Sequence, residues 1–386
     1  MKKQFYFTSE SVSSGHPDKL ADQISDLVLD YFLTQDNKAR VAAEAFVTAT
    51  KIILAGEVRT TCHIDIVELE SKIRNLIKDV GYVKGLFRYD KVEIEIDLRE
   101  QSPDIARGVD EGDQKPEGAG DQGIMFGYAC GETKDFMPAP IYYSHLLLKT
   151  IYDRLKEGNI TNFGPDAKAQ ITFKYIDGKP VEIDTVLVSI QHEDGMSKED
   201  VAGQIKPVIL DIIPNEYLSN AKFLFNPTGK FVIGGPESDV GLTGRKIIVD
   251  TYGGSAPHGG GAFSGKDPSK VDRSAAYMAR YLAKNVVAGG LAEKCLIQLS
   301  YAIGVAEPIS FYLDSFGTAK IDDQEIVHYL ANQIDLTPKG IRTKLNLNKA
   351  IYLPTATYGH FGREYNHKQG LFTWENTNLA TKLAEL

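Results

Sequence analysis

Residues 92–98 read Val-Glu-Ile-Glu-Ile-Asp-Leu, a strict alternation of apolar and acidic residues. Successive side chains of a β-strand point to opposite faces of its sheet. The stretch therefore predicts a strand with one buried face and one wet, charged face.

The residues before this strand predict a helix, two strands and a second helix. Apolar residues recur at three- and four-residue steps after Pro17, which suits a first helical turn, so a helix is predicted over 17–35. Residues 40–47 and 51–59 predict two strands joined by a tight turn, and an amphipathic helix follows that ends at Gly81.

The same order of elements comes twice more along the chain. Further helices are predicted over 141–157, 201–212, 268–287 and 323–334, and further strands over 170–175, 181–190, 223–225, 246–250, 296–303 and 309–313. This β-α-β-β-α-β rhythm predicts an α+β protein of three similar domains, with helices layered on one face of mixed sheets. The predicted domains cover residues 1–101, 119–232 and 233–386, and the aperiodic stretch 102–118 predicts a lid loop.

Composition excludes several classes of protein. The chain has 386 residues, 42% hydrophobic and 25% charged, which is enough apolar material for two or three globular domains. A net charge of −9 argues against nucleic acid or an acidic membrane as a partner. No stretch approaches the ~20 apolar residues of a membrane span, and no signal peptide is visible. Three widely spaced cysteines predict reduced, buried thiols in a cytoplasmic protein.

Glycines and cations are concentrated at 259–273, which read Gly-Gly-Gly-Ala-Phe-Ser-Gly-Lys-Asp-Pro-Ser-Lys-Val-Asp-Arg. Glycines let backbone N–H groups approach an anion, and a helix beginning at Pro268 would point its positive end at the same place. Fewer than thirty residues of this acidic chain hold five cations, Arg245, Lys246, Lys266, Lys270 and Arg273. The clustering favours a polyphosphate ligand over a solvated basic helix face, because charge alone does not account for the glycines.

Two familiar motifs nearly fit and are rejected. Gly260–Lys266 fits Gly-x-x-x-x-Gly-Lys, but Asp267 follows where a P-loop has the Ser or Thr that binds magnesium. Gly118–Gly123 fits Gly-x-Gly-x-x-Gly, yet it follows an acidic loop and opens no predicted helix. No Ser-His-Asp, reactive Cys or His-Glu-x-x-His arrangement is recognisable, which weighs against a hydrolase.

Three further residues each have a functional and a structural interpretation. Asp18 either caps the first helix or ligates magnesium together with Asp272, since magnesium usually takes one or two carboxylates besides phosphate oxygens and water. His16 is either a hydrogen-bonded structural residue or part of the site. Phe231 either packs in the core or stacks on a base. Beside a polyphosphate cluster, metal binding is the better interpretation of Asp18.

Ordered motifs along nearly the whole chain resemble the S-adenosylmethionine synthetase family. They are Phe7–Val12 running into Gly15–Lys19, Gln101–Ile105, Gly118–Gly123, Asp166–Lys168, Phe231–Pro236, residues 259–273 and Tyr358–Arg363. The resemblance implies three similar domains about a pseudo-threefold axis, consistent with the repeat. Departures lie outside the core motifs: Pro257 stands where many bacterial members have Arg, and Lys230 where some have Arg.

The resemblance also implies a reaction, in which ATP and L-methionine form S-adenosylmethionine and the released tripolyphosphate is cleaved to pyrophosphate and phosphate. A thioether sulfur has no proton to lose, so its attack needs no general base. The leaving polyanion gains charge as the C5′–O bond breaks. Cations and magnesium placed there stabilise the transition state more than the ground state.

Each candidate residue takes a role from the same resemblance. The catalytic residues are His16, Lys168, Arg245, Lys246, Lys266 and Lys270. ATP would also be bound by Asp166, Lys230, Phe231 beside the adenine, Asp239 and Ala262. Methionine would be bound by Glu57, Gln101, Asp121, Asp239, Lys266 and Lys270. Metals would be bound by Asp18 and Asp272 (two magnesium ions per site) and by Glu44 (potassium). The lid would begin at Gln101, and the sites would lie between subunits of a homodimer or of a homotetramer of two dimers.

Two other functions are alternatives. A kinase or ATP-dependent ligase would transfer a phosphoryl or adenylyl group, but the P-loop Ser or Thr and the kinase motifs are missing. A regulatory subunit that binds nucleotide without catalysis would be expected to have lost part of the site, whereas the chain retains His16, Asp18, Lys168, Lys266 and Asp272. Only a synthetase would form a sulfonium product, so detection of that product distinguishes it from the kinase or ligase and from the regulatory subunit.

Overall fold

The computed structural model describes residues 3–101 and 117–386, so most of the predicted lid lies outside the described residues. The strands are β1 (Gln4–Val12), β2 (Arg40–Val47), β3 (Lys51–Arg59), β4 (Glu93–Glu100), β5 (Gly123–Cys130), β6 (Phe163–Ile176), β7 (Lys179–His192), β8 (Lys222–Phe225), β9 (Gly241–Leu242), β10 (Lys294–Tyr301) and β11 (Ser310–Asp314). The α-helices are α1 (Pro17–Gln35), α2 (Ile66–Val80), α3 (Ala139–Lys156), α4 (Lys198–Ile212), α5 (Asn215–Leu218), α6 (Ile247–Asp250), α7 (Val271–Ala288), α8 (Asp323–Gln333), α9 (Pro338–Lys344) and α10 (Ala380–Leu383).

These strands form three sheets. The strand orders are β4-β3-β2-β9, β1-β6-β7-β8 and β11-β10-β5. The pairs β3/β4 and β7/β8 are parallel and the others are antiparallel, so the first two sheets are mixed. Helix α1 packs on β2 with α2 beside it, α3 packs on β6 and β1, and α7 packs on β5 and β10.

Residues 4–100 and 123–225 follow the predicted order β-α-β-β-α-β, with the short α5 added in the second unit, whereas in the third unit no strand follows α8. Each sheet contains a strand from a different unit. Strand β1 opens the first unit but pairs with β6 of the second, from Gln4↔Ile176 to Val12↔Lys168. Strand β5 opens the second unit and pairs with β10 of the third. Strand β9 opens the third unit and pairs with β2 of the first. The three units therefore exchange their opening strands in a cycle.

The predicted strand over 246–250 is wrong, because these residues form the helical turn α6. The N–H of Asp250 donates to the carbonyl of Lys246 at 2.8 Å, and the hydroxyl of Thr251 donates to the carbonyl of Ile247 at 2.8 Å. The Asp250 carboxylate pairs with buried Lys19. A short apolar run does not distinguish a strand from a helix by periodicity, and here the buried ion pair accompanies the helical turn.

The predicted helix start at Pro268 is also wrong, since α7 begins at Val271. The Asp267 carboxylate accepts the N–H of Ser269 at 2.9 Å, and the Asp267 carbonyl accepts the N–H of Lys270 at 3.0 Å. This turn keeps Pro268 outside the helix and leaves Lys270 as the N-cap residue. The bounds of α1, β2 and β3, in contrast, agree with the prediction.

A buried ion pair joins α1 to α7. The side chains of Arg273 and Asp26 are both 0% exposed and are joined by hydrogen bonds of 2.6 and 3.0 Å. The guanidinium also donates to the carbonyls of Phe263 and Lys266, and it lies 4.2 Å from the centre of the Tyr352 ring. Arg273 therefore supports the loop of residues 259–266 from the interior of the protein. The prediction that Arg273 belongs to the cations that face a ligand is wrong.

The helices can be compared with the length of a membrane span, and the cysteines are all unpaired. None of the helices in 3–101 and 117–386 has both the length and the apolar character that crossing a bilayer requires. All three cysteines are free thiols; Cys130 and Cys295 are buried, while Cys62 is half-buried. Burial raises the pKa of Cys130 to about 12, so this thiol is unreactive at neutral pH.

Replacing Arg273 by Met leaves the Asp26 carboxylate buried without its charge partner. Breaking a buried pair in this way costs about 3–5 kcal/mol, so we expect the free energy of unfolding in urea, followed by circular dichroism, to fall by that amount. Combining Arg273→Met with Asp26→Asn removes both charges and should recover part of the loss. Arg99→Met, at an exposed pair with Asp97, is the control and should change stability little. A loss in Arg273→Met no larger than in this control contradicts the assignment.

Candidate active site

Three polar loops lie at the ends of the three exchanged strands. Strand β1 runs into 13–19, β5 follows 118–122, and β9 leads into 243–246. Because each of these strands is paired in the sheet of another unit, each loop is carried to that unit. The exchange thereby brings together loops that are far apart in sequence.

The first group of side chains, the Asp18 cluster, consists of His16, Asp18, Asp166, Lys168, Phe231, Asp239, Arg245 and Lys246. At its centre, Lys246 Nζ lies 2.5 Å from Asp18 Oδ2, and Arg245 Nε lies 3.7 Å from Asp18 Oδ1. Asp18 Oδ1 also accepts the backbone N–H of Leu242 at 3.0 Å. Burial opposes the charge on Asp18, but the hydrogen bonds from Lys246 and Leu242 outweigh it and lower the pKa of Asp18.

His16, rather than Asp18, caps helix α1. Nδ1 of His16 accepts the backbone N–H of Asp18 at 3.2 Å, so the capping interpretation of Asp18 is wrong. Burial, followed by the charges of Lys246 and Lys168, lowers the pKa of His16 to about 3. The ring is therefore neutral at pH 7, and because Nδ1 accepts a hydrogen bond, Nε2 carries the proton.

Asp166 extends the cluster towards residues 231–239. Its Oδ2 accepts the N–H of Gly235 at 2.7 Å, whereas its buried Oδ1 has no hydrogen-bond partner among the described residues. Burial raises the pKa of Asp166 to about 6. An unpartnered buried acceptor is suited to an N–H or O–H group of a ligand. Phe231 is half-buried and donates its N–H to His192 Nε2 at 3.1 Å, which leaves both interpretations of its ring open.

The second group, the Asp272 cluster, consists of Glu57, Gln101, Asp121, Ala262, Lys266 and Asp272. Lys266 Nζ lies 2.6 Å from Asp272 Oδ2, and these side chains are 27% and 22% exposed. Ala42 on β2 bridges to Lys266 and is paired with Glu57 on β3, so Lys266 and Glu57 flank the same residue. Gln101 donates its N–H to the carbonyl of the residue after Glu57 at 3.2 Å.

Glycines bring backbone close to Asp272. A Cβ added at Gly261 would collide with the Asp272 carboxylate, and one added at Gly123 would touch it. Gly244 has a φ of +81°, and a Cβ there would collide with the Ala262 side chain. The loop that carries Arg245 and the glycine-rich loop therefore touch through their smallest residues.

Two predicted ligand cations have protein partners instead. Lys270 pairs with buried Asp267, which makes it part of the turn before α7. Lys230 Nζ lies 3.2 Å from Asp194, and both side chains are largely exposed. Lys270 is 22% exposed and Lys230 is 77% exposed, so both stay accessible to a ligand, as do Lys246 and Lys266 within their own ion pairs.

Three predicted acidic residues are exposed. Asp121 and Asp239 each accept the N–H of the following residue, at 2.7 and 2.9 Å. Glu44 lies on β2 two residues from Ala42, on the same sheet face as Glu57. These carboxylates face solvent and are accessible to a ligand.

The carboxylates of Asp18 and Asp272 fit a magnesium ion that is also bound by the phosphate oxygens of a ligand. In the part of the chain that the structure describes, no group of three or more His, Cys, Asp or Glu side chains converges on one point. Magnesium does not require such a group, because one or two carboxylates usually share it with phosphate oxygens and water. Asp18 and Asp272 each supply one carboxylate, and each is now paired with a lysine.

Sequence reasoning missed two buried carboxylates that position the site. Asp267 is bonded to Lys270 and lies 3.6 Å from Arg40, so it fixes the turn before α7. Asp250 pairs with Lys19, which fastens α1 to α6 directly beside Lys246. No spacing rule identifies such residues. The one signal in the sequence that could have identified them is their position, since Asp267 directly follows Lys266 and Asp250 comes four residues after Lys246.

The neutral state of His16 is measurable. We expect the Cε1–H resonance of His16, assigned with His16→Gln, to keep its neutral position from about pH 8 to about pH 5. The measurement is ¹H–¹³C NMR of protein labelled in its histidines. Lys246→Met removes one neighbouring charge and should raise the midpoint. A midpoint in the ordinary histidine range for the unchanged protein contradicts the electrostatic picture.

Three sequence models of one family match the chain in order. They are described as the N-terminal domain of S-adenosylmethionine synthetase, at residues 4–103, its central domain, at 116–231, and its C-terminal domain, at 233–376. The three matches together cover most of the chain.

Curated relatives are similar over nearly the full length. The S-adenosylmethionine synthase of Paramagnetospirillum magneticum is 56% identical over 383 residues, covering 99% of this chain and 98% of the relative. That of Acidiphilium cryptum is 56% identical over 386 residues, with coverage of 99% and 98%. That of Maricaulis maris is 53% identical over 386 residues, with coverage of 100% and 99%.

Proposed function

This chain belongs to the S-adenosylmethionine synthetase family and is a methionine adenosyltransferase, and we propose that the Asp18 cluster and the Asp272 cluster are the two halves of its active site. ATP and methionine are the substrates of the family. The proposal concerns which residues bind them and how those residues lower the barrier.

The observation that carries the proposal is a repeated pair of one carboxylate and one lysine. Lys246 holds Asp18 and Lys266 holds Asp272, and each pair lies beside a glycine loop. A triphosphate with magnesium offers a new partner to both members, phosphate oxygens to the lysine and the metal to the carboxylate. Each ion pair is then exchanged for ligand contacts, and no unpaired charge is left.

The transfer forms a C5′–S bond and breaks the C5′–O bond. The lone pair of the methionine sulfur makes the new bond, and the electrons of the old bond leave on the triphosphate, so no proton has to move. Cations from both clusters stabilise the charge that develops there. His16 is neutral with its proton on Nε2, so it would donate a hydrogen bond to the leaving oxygen. We further propose that the released tripolyphosphate is cleaved in the same site.

Individual roles follow the family pattern. Phosphate binding is assigned to His16, Lys168, Arg245, Lys246, Lys266 and Lys270, with Lys270 also positioned by Asp267. The remaining nucleotide contacts are assigned to Asp166, Lys230, Phe231, Asp239 and Ala262. Methionine binding is assigned to Glu57, Gln101, Asp121, Asp239, Lys266 and Lys270. The free Oδ1 of Asp166 and the exposed carboxylates of Glu57 and Asp121 support these assignments.

Two magnesium ions and one potassium ion are the proposed cofactors. Asp18 and Asp272 would hold magnesium, which supplies positive charge at the phosphates. Glu44 would hold potassium, in keeping with its exposed position on the sheet face that also carries Glu57.

We propose that the two halves of each site come from different subunits of a homodimer, which two such dimers extend to a homotetramer. Among the described residues, no side-chain hydrogen bond or ion pair joins the Asp18 cluster to the Asp272 cluster. Large apolar side chains are exposed near Asp121, on strand β5 and in the connection between β10 and β11: Ile124 by 45%, Ile303 by 61% and Ile309 by 64%. Exposed apolar surface of this kind is typical of an interface. The cyclic strand exchange supports a pseudo-threefold arrangement of the three domains within each subunit.

Replacing Lys266 by Met should reduce S-adenosylmethionine formation by about 100-fold or more, because it removes a cation from the developing charge. Product is measured by mass spectrometry in a reaction with ATP, methionine, Mg²⁺ and K⁺. Lys320→Met, at an exposed lysine outside both clusters, is the matched control and should retain activity. Near-normal turnover in Lys266→Met, with an unchanged circular dichroism spectrum, would remove Lys266 from the mechanism.

Mixing two inactive variants tests whether sites are shared. Asp18→Asn damages one half-site and should raise the magnesium requirement, while Lys266→Met damages the other. In a mixed dimer one site combines both defects and the other is intact. Co-expression of the two should therefore recover about a quarter of the unmodified activity, from half of the dimers and half of their sites. If the mixture is as inactive as either variant alone, the site lies within one chain.

A further inference from the structure

A cavity lies outside both clusters, between helix α3 and residues 358–372. Its volume is about 320 Å³, at the lower end of the ~300–1,000 Å³ typical of small-molecule sites. Its walls include the aromatic rings of Tyr142, Phe361 and Phe372 and the aliphatic side chain of Leu146. The motif Tyr358–Arg363 forms one side of it, and no role in adenosyl transfer has been assigned to this motif above.

Arg363 supplies the positive charge of this cavity. One of its nitrogens, Nη1, donates to the carbonyls of Thr357 and Gly359 at 2.8 and 3.1 Å, and the guanidinium lies 4.4 Å from the centre of the Phe372 ring. No carboxylate within the described residues forms an ion pair with it. Burial lowers the pKa of Arg363 to about 10, so it remains charged at neutral pH while its other nitrogens lack an anion.

Three buried arginines each have a carboxylate partner, whereas half-buried Arg363 has none within the described residues. Arg273 is paired with Asp26, Arg280 with Glu375, and Arg342 with Glu117. Glu375 does act on Arg363 at a distance, but its oxygens already accept hydrogen bonds from Arg280, Lys284 and the N–H of Gly362. A half-buried guanidinium has lost part of its hydration, so an anion that enters the cavity would supply the charge partner that the described residues do not.

The remaining polar groups around the cavity do not provide that anion. Asp135 is hydrogen-bonded to Tyr142, and Glu364 is exposed. His145 is buried, with Nδ1 bonded to the hydroxyl of Ser11 at 2.8 Å. Burial lowers the pKa of His145 to about 3, so it adds no charge. Lys134 also lines the cavity and adds positive charge.

We propose that this cavity binds a small organic anion, whose carboxylate or phosphate contacts Arg363 and whose flat apolar body packs against the aromatic walls and Leu146. The guanidinium, stacked on Phe372, presents a planar set of donors that suits such a group. The site is independent of the proposed active-site roles, since it shares no residue with either cluster.

Two isosteric probes of opposite charge test the proposal. Benzoate and phenyl phosphate carry the expected anionic group, whereas benzamidine has the size of benzoate and a positive charge. We expect saturable binding of benzoate or phenyl phosphate, at one per chain, in isothermal titration calorimetry on the full-length protein, and no binding of benzamidine. Equal binding of benzoate and benzamidine, or no saturable binding of either anion, overturns the proposal.

Variants locate the binding. Leu146→Trp fills part of the cavity and leaves residue 363 itself unchanged, and it should weaken binding of the anion by about tenfold or more. Leu155→Trp lies on the same helix but lines a different cavity, so it is the matched control and should bind normally. Arg363→Gln removes the charge and should also abolish binding, although the loss of its contacts to Thr357 and Gly359 also affects local stability. Unchanged affinity in Leu146→Trp would place the anion elsewhere, for example in the active site, and would overturn the assignment.

Discussion

The cyclic exchange of opening strands is the constraint on which the rest of the structure depends. A strand that leaves its own unit must complete the hydrogen-bond ladder of another, so β1, β5 and β9 fix the units against one another through their backbones. The loops attached to these strands carry five of the proposed site residues: His16, Asp18, Asp121, Arg245 and Lys246. Their positions are therefore set by sheet register, which is stiffer than contact between separate domain surfaces.

Burial separates the ion pairs of this protein into two kinds. Arg273–Asp26 and Arg280–Glu375 are fully buried, so opening either would expose an uncompensated charge to a medium of low dielectric. Lys266–Asp272 is about a quarter exposed, and Lys246 reaches Asp18 from a side chain 16% exposed. Water can solvate both partners of the Lys266–Asp272 pair as they separate, whereas at the other pair it reaches Lys246 but hardly Asp18, which is 2% exposed. The buried pairs therefore serve as fixed supports, and the pairs of the two clusters remain exchangeable for a ligand.

The sequence was sufficient for features that depend on near neighbours. The bounds of α1 follow from an apolar period and a proline, whereas the anion site at the glycine-rich loop stays a prediction. The sequence was not sufficient where contacts between residues far apart in the chain determine the local structure. The burial of Arg273 depends on Asp26, almost 250 residues away in sequence. Residues 247–250, three apolar residues followed by Asp250, form a helical turn whose Asp250 pairs with Lys19. Alternation shows which face of a strand is buried but does not identify the strand with which it pairs, so the exchange was invisible.

The exchange also affects how the chain is made. Synthesis proceeds from the N-terminus, so β2 leaves the ribosome long before β9, its partner on one side, has been translated. Strand β1 is likewise translated long before its partner β6, and β5 is translated long before its partner β10. Pairings between such distant segments have a high contact order and form late. No unit of this protein can finish its sheet until part of another unit exists, and the nascent chain therefore carries open strand edges through much of its translation.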